Sequence, residues 1–404
     1  MKRYVIVGTG SRVYSMFVEG LRDRLGVDVE ITGAYDVNRT RAEFYKKSAL
    51  PELRIYDSFD EMVEKEKPDA VIVGTVDSTH AQYVVRAMEL GCDVISEKPL
   101  VNRYEDAVAV REAERRTGKK VTVTFNCRFM PVFTAVKELV KEGRIGKVHS
   151  VVYDYSLNRW HGGDYFKRWH RMMKNSEGML LHKSTHHFDI VNWLLDDEPM
   201  TVSALARRSY YGDEAKSYAS RCSECPRTAE CESYKSQSAR LDQALYFEAE
   251  HEDGYIRDKC AFLPDTDIYD NMSVSVMYKQ GTILSYALNL FSMREGYRMT
   301  LTGERGVILV SCYSTDEGQE CSIKLMNAEN QYEDIPFAST AGAHGGGDKR
   351  LLDMIFGDVV VEDPLGRFAD SFAGITSAMI GIAANESIKK GIVVPVTERL
   401  DPLR

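Results

Sequence analysis

The sequence predicts a doubly wound parallel α/β domain followed by an α+β domain built on a large, mostly antiparallel open sheet. Two observations carry this. Short β-branched strands alternate with helical stretches over the first third of the chain, starting from a glycine-bearing turn. From about residue 130 the alternation stops and longer strand-like runs take over. A chain of 404 residues exceeds what one hydrophobic core usually organises, so two domains are expected, at 1–127 and 128–404.

The opening YVIVGTGSRVYSMFVEGLRD sets an apolar strand before Gly8 and Gly10, then Val13, Met16, Phe17 and Leu21 at helical spacing. A dinucleotide site needs that order. Glycines let the backbone approach a pyrophosphate, and the helix start at Ser11 and Arg12 offers N–H groups and partial positive charge. Val13 stands where the third glycine of the fingerprint falls. The second strand, VEITGAYD, ends in Asp36, at the distance of a carboxylate that holds adenosine ribose hydroxyls; capping the next helix is its other reading. A carboxylate there disfavours a 2′-phosphate, while Arg12 and Arg39 could accept one. NAD is therefore expected, with NADP open.

DAVIVGTVDSTH and DVISEKPL follow as strands around the helical AQYVVRAMELG, and KKVTVTFNCRF adds another after EDAVAVREAERRTG. Ligands bind beyond the carboxyl ends of such strands, which puts Thr75, His80, Glu97, Lys98 and Asn126 at the nicotinamide end of a dinucleotide. Burying an ammonium costs several kcal/mol unless it is paired or its pKa falls, so Lys98 either points into water or serves the cleft.

Taken together, Gly8/Gly10, GTVDSTH, EKPL and FNCRFMP resemble the glucose-fructose oxidoreductase and inositol dehydrogenase family, also written Gfo/Idh/MocA. The resemblance covers nearly the whole chain. It implies that Lys98 hydrogen-bonds the reacting hydroxyl or carbonyl. It also implies a closing helix at about 369–390 and dimers or tetramers formed through the open sheet of the second domain.

In that domain GKVHSVVYDYSL, TVSALARRSYY, MSVSVMYKQGTILSYALNLF and YRMTLTGERGVILVSC read as strands, with a hairpin at KQGT. The chemical stretch is GMLLHKSTHHFDIVNWLLDD. Read as one helix, it puts His182, His186, Asp189 and Trp193 on a single stripe beside a core stripe of Phe188, Val191 and Leu195. The family pattern D-x-G-x-H-x-x-D matches His186 to the general acid/base and Asp189 to the later aspartate. His182 replaces the first aspartate, and Lys183 and Ser184 depart as well. His182 and His186 are expected to act as a coupled pair, His186 ranking first as base. His187 reads first as a core histidine and otherwise, with Lys183, as a substrate contact. A divalent ion on His182 and His186 with Asp189 or His187 is a further reading.

Arg128, Trp160, His161, Arg168, Trp169, His170 and Arg171 crowd the approach to that stretch; aromatic faces and forked donors suit a sugar ring, with surface packing as the alternative. HGGGD at 344–348 reads as a loop bringing His344 or Asp348 to the substrate. Between about 211 and 265 lies a polar insertion with Cys222, Cys225 and Cys231, followed by Cys260. Zinc is the first occupant considered, an iron-sulfur cluster, disulfides or unlinked thiols the others.

The net charge of −9 without a Lys/Arg-rich tract argues against nucleic acid or an anionic membrane as main partner, and no apolar run reaches the ~20 residues of a membrane span. The opening reads as a strand rather than a signal peptide, and eight cysteines without an export signal suggest a reducing, cytoplasmic setting. The expected function is an NAD(P)-dependent oxidoreductase acting on a secondary alcohol or ketone of a sugar, polyol or glycoside. An NAD-retaining glycoside hydrolase or lyase working by transient C3 oxidation is the alternative, and a non-catalytic cofactor-binding protein on the same fold is a third reading.

Overall fold

The computed structural model describes residues 1–234, 240–316, 318–338, 343–357 and 362–404. Six parallel strands, β1 (Lys2–Val7), β2 (Val29–Tyr35), β3 (Arg54–Tyr56), β4 (Ala70–Val73), β5 (Asp93–Ser96) and β6 (Val121–Val123), form the first sheet in the order β3-β2-β1-β4-β5-β6. The order reverses between β1 and β4, so their carboxyl ends open a crevice where a ligand can lie. Val13, Met16, Phe17 and Leu21 are all buried, as their spacing predicts.

Two glycines set the width of that crevice. Gly8 has φ of +87°, and a Cβ there would stand 2.7 Å from the carbonyl of Gly74 and from the amide nitrogen of Thr75. A side chain at Gly74 would collide with Val13. The close approach between helix and strand that the missing third glycine normally provides is thus supplied by Gly74, across from Val13.

The second sheet contains β7 (Val148–Asn158), β8 (Pro199–Arg207), β9 (Asn271–Tyr278), β10 (Ile283–Ser292), β11 (Gly296–Gly303), β12 (Gly306–Thr315), β13 (Gly318–Asn327), β14 (Tyr332–Asp334) and β15 (Val394–Pro395). Among the described residues their order is β14-β13-β12-β11-β7-β10-β9-β8-β15, antiparallel except for the β7–β10 pair. The KQGT turn joins β9 and β10 through the Tyr278 N–H to the Thr282 carbonyl, with Gly281 at φ +94°. One face of the sheet packs on helices, while Val152, Leu205 and Ile283 are exposed on strands β7, β8 and β10. Cys312 and Cys321 stand directly opposite on β12 and β13 and are disulfide-bonded, so the thiol set that suggested a reducing setting contains one cross-strand pair; the other six cysteines are free thiols. No helix of the described residues is long and apolar enough to cross a membrane.

The helix Ser371–Lys390 starts on the Asp370 carboxylate, which accepts from the Ala373 N–H, and stops at Gly391 in the left-handed region. It lies against β8 and against the helix Ser184–Leu195. Gly381 is the point of nearest approach to the turn Met179–His182: a Cβ there would stand 2.6 Å from the Leu180 carbonyl oxygen and 2.9 Å from the Leu181 Cα. Gly381→Val is expected to cost about 1–3 kcal/mol in denaturant unfolding, because backbone rather than a flexible side chain must retreat. An unchanged midpoint would mean that the turn yields freely.

Candidate active site

A cavity of about 360 Å³ opens at the carboxyl ends of the first sheet, lined among others by Gly8, Gly10, Asp36, Thr75 and Thr79. Asp36 accepts from the Thr9 N–H at 2.6 Å and Thr9 Oγ1 at 2.9 Å, and from the Asn38 N–H at 2.8 Å. It does not cap the following helix; Asn38 does, accepting from the Arg41 N–H. The two arginines that could receive a 2′-phosphate are turned elsewhere. Arg39 pairs with Asp57 and Glu43 in solvent, and Arg12 is held by Glu97 and by both oxygens of Asp348. Asn126 donates to the same Asp348 carboxylate, so Asp348 serves this polar floor; the side chain of His344 lies outside the described residues.

The other wall of the cavity comes from the insertion. Tyr246, Asp253 and Tyr255 line it with Trp169. The Tyr246 hydroxyl accepts from the Ser11 N–H at 3.0 Å, and Glu252 accepts from the Arg39 and Thr40 N–H groups at 2.6 and 2.8 Å. Arg41 lies over both tyrosine rings and pairs with Asp253 at 2.7 Å. The residues suit a dinucleotide: the Gly8 turn packs tightly on the Gly74–Thr75 backbone, Asp36 lines the cavity, and the Ser11 N–H, bonded here to the Tyr246 hydroxyl, stands where a phosphate oxygen would be received.

Beyond the Thr75–Thr79 loop lies the polar centre. His80 places Nδ1 2.7 Å from the Pro99 carbonyl and Nε2 3.1 Å from the Thr75 carbonyl, tying this loop to Glu97–Pro99. The Lys98–Pro99 bond is cis. Lys98 is half-buried, and its Nζ donates to the His182 carbonyl at 3.1 Å. Burial pushes Lys98 below the ordinary lysine range, with Asp77 and Glu97 opposing the fall. His182 places Nδ1 2.6 Å from Asp77 Oδ2, both residues being buried. Sequence reasoning missed Asp77; it sits three residues before His80 in a loop whose partner lies far along the chain.

The stripe predicted for 182–193 forms in part, with His186, Asp189 and Trp193 at helical spacing on one helix and His182 outside it. The helix breaks at Lys183, leaving His182 on the turn Met179–His182 and His186 on the helix Ser184–Leu195, half-buried and edge-on to Phe125 at 5.9 Å. Asp189 turns into the core and takes Arg128 through two bonds, Nε at 2.8 Å and Nη2 at 2.6 Å. Trp193 donates to the Leu365 carbonyl. His187 is a core histidine, stacked on Tyr155 at 4.2 Å with Nδ1 2.6 Å from the Tyr286 hydroxyl.

Around His182 stand Tyr165, Trp169 and His170, with ring centroids at 5.5, 5.7 and 4.3 Å. His161 pairs with Glu295 at 2.9 Å and stacks on Trp160. Burial lowers the Lys183 ammonium pKa, but Tyr155, Tyr165, Cys127 and Glu295 outweigh it and hold it above the ordinary range. Arg168 binds Asp164 at 2.9 Å, and Arg171 is committed to Asp265 and to the Cys260 and Leu263 carbonyls.

The zinc site expected in the insertion is not assembled. Cys222, Cys225, Cys231 and Cys260 line one cavity of about 200 Å³. Yet among the described residues no group of three or more His, Cys, Asp or Glu side chains can hold a metal ion, which also removes the His182/His186 metal reading. Ion pairs hold the insertion instead: Arg221 to Asp258 and Glu250 within it, and Arg257 to Asp164 and Asp253 to Arg41 between it and the rest of the fold.

A model of the oxidoreductase family's NAD-binding Rossmann fold matches residues 2–125, and a model of its C-terminal α/β domain matches 137–396. The chain belongs to the Gfo/Idh/MocA oxidoreductase family. Within the family it is 35% identical to Bacillus subtilis YteT, named an oxidoreductase, over 97% of this chain and 96% of that one. It is 32% identical to an inositol 2-dehydrogenase of Paracoccus denitrificans over 43% of this chain and 48% of that protein, so it matches only about half of that relative. Its fold follows that of the WlbA dehydrogenase from Bordetella pertussis, solved with NADH and UDP-GlcNAcA, at a TM-score of 0.68 and 17% identity over 98% of each chain. An aldose-aldose oxidoreductase from Caulobacter crescentus gives 0.67 at 16% identity, over 98% of this chain and 99% of that one.

The Arg257–Asp164 pair gives a pH dependence with a definite sign. Burial would raise the Asp164 carboxyl, but Arg168 and Arg257 outweigh it and hold it well below the usual range. The stability it contributes is therefore full above the unfolded carboxylate pKa near ~4 and is lost as pH falls toward the depressed folded value. Asp164→Asn is expected to melt below the wild type at pH 7, with the gap closing under pH 4; a gap independent of pH would remove this pair from the stability of the insertion.

Proposed function

We propose that the protein is an NAD-dependent dehydrogenase that interconverts a secondary alcohol and a ketone on a sugar, polyol or glycoside. The carrying observation is Lys98, half-buried beside the dinucleotide cavity with Asp77 and Glu97 as counter-charges. A bound nicotinamide would supply the hydride acceptor or donor. The chain supplies the rest: Lys98 steadies negative charge on the substrate oxygen, and a histidine, His186 or His182, takes the hydroxyl proton. Trp160, His161, Tyr165, Arg168 and Lys183 give aromatic faces and donors for a hydroxylated ring. NAD is preferred to NADP because Asp36 lines the cavity while Arg39 and Arg12 are engaged elsewhere and Arg41, which also lines it, is paired with Asp253. A division at 127/128, a homodimer or homotetramer through the exposed sheet face and a cytoplasmic setting complete this reading.

One observation favours a second reading. The insertion clasps the dinucleotide cavity through Tyr246, Asp253 and Glu252, an arrangement that would slow cofactor exchange. Retention suits an enzyme whose oxidation is reversed within one catalytic cycle, as in a glycoside hydrolase or lyase that oxidises C3, removes the C2 proton and expels the aglycone.

Purified protein screened against sugars, polyols and aryl glycosides, with NADH absorbance and aglycone release followed together, separates the two. NADH rising with a free sugar supports the dehydrogenase; aglycone without NADH supports the second reading. Lys98→Ala is expected to lower turnover at least a hundredfold with cofactor affinity kept, and unchanged turnover would take Lys98 out of the mechanism. The clasp predicts that NAD(H) co-purifies with the protein and that Tyr246→Ala together with Glu252→Gln releases it during gel filtration; equal retention in wild type and variant would count against the clasp.

A further inference from the structure

The contact between Asp77 and His182 joins residues 105 apart in sequence, one from the loop that lines the dinucleotide cavity and one from the turn before the helix Ser184–Leu195. Both side chains are buried, at 3% and 11% exposure, and lie 2.6 Å apart. An ionised carboxylate can only accept, so with Asp77 ionised the imidazole donates through Nδ1–H and Nε2 is left as the proton acceptor of the ring, whereas a protonated Asp77 would itself donate to Nδ1. The same backbone segment that presents His182 receives the Lys98 Nζ on its carbonyl. Lysine, carboxylate and imidazole therefore share one buried polar cluster, assembled from both domains.

We propose that Asp77 is the positioning carboxylate of this active site: it fixes His182 in the Nδ1–H tautomer and sets its negative charge beside Lys98, so that His182 Nε2 exchanges the substrate's proton. The step balances simply. In oxidation the O–H bond of the substrate alcohol breaks and a bond forms between that proton and Nε2, while Asp77 stays ionised and offsets the imidazolium; in reduction the proton returns to the oxygen. The proposal rests on the dehydrogenase reading and deepens it by assigning the proton carrier.

Two effects compete at Asp77: burial, with Glu97 adding to it, pushes its carboxyl well above the usual range, while Lys98 and Arg168 favour the ionised form that the assignment requires; His182 faces Lys98, His170, Arg168 and Lys183. Burial first, and then Lys98, His170, Arg168 and Lys183, push His182 well below the ordinary imidazole range, so the ring is neutral at rest. A bond made only to pin the two domains together would give Asp77 no effect on proton transfer, and that difference can be measured.

The test uses the full chain with NAD added and histidine labelled with nitrogen-15, read by long-range proton–nitrogen spectra, with His182 assigned from its loss in His182→Gln. One Nδ1–H tautomer with a strongly downfield proton, constant across neutral pH, is expected in the wild type and is expected to disappear in Asp77→Asn. An Nε2–H tautomer in the wild type, or spectra unchanged in Asp77→Asn, would overturn the assignment. With whichever sugar the screen yields, Asp77→Asn should lower kcat about 10²–10⁴-fold at near-constant KM and abolish the acid limb of the pH–rate profile, and Asp77→Glu should restore part of both. A wild-type-like kcat and profile would leave Asp77 a structural residue. If Asp77→Asn does not fold, the wild-type tautomer decides. If no sugar is turned over, the dehydrogenase reading fails while the spectra still judge Asp77.

Discussion

An ammonium group drawn out of water at the mouth of a parallel sheet has to be met by negative charge and by acceptors, or it loses its proton. In this protein that requirement organises the junction of the two domains. Lys98 comes from the end of β5, its nearest counter-charges Asp77 and Glu97 come from the same domain, and its carbonyl acceptor comes from His182 in the other. Glu97 is also engaged by Arg12, which Asp348 holds from the far side. Moving any one of these groups alters the electrostatic balance around the Lys98 ammonium.

The insertion shows a different way to stabilise a polar segment. It is too polar to build a core of its own, and it is secured by arginine–carboxylate pairs and by aromatic rings laid over Arg41 and Arg257. Buried pairs of this kind add little net stability but fix where a segment lies. Here the segment lies over the dinucleotide cavity, so a feature that reads in sequence as a cysteine-rich module works in the fold as a wall of the cofactor site.

Helical periodicity over 182–193 assumes an unbroken helix, and the interruption at Lys183 leaves His182 on a separate turn from the helix that carries His186. The polar residues therefore divide: His182 goes to Asp77, Asp189 to Arg128, and His187 to Tyr286 and Tyr155. Burial decides that division. A carboxylate facing the core binds the nearest guanidinium because an unpaired charge there costs more than the loss of a functional contact.

Local patterns determined the strand–glycine–helix opening, the alternation of the first domain, the KQGT hairpin and the placing of Gly8, Asp36, Thr75, Glu97 and Lys98 at strand ends, because such features depend on residues a few positions apart. Tertiary structure alone decided that Gly74 takes the part of the absent third glycine, that Tyr246 and Glu252 close over the cavity, and that Asp77 meets His182. Each of those contacts pairs groups tens to hundreds of residues apart. What selects them is the cost of leaving a buried charge, donor or cavity unmatched, and that cost exists only once the chain has packed.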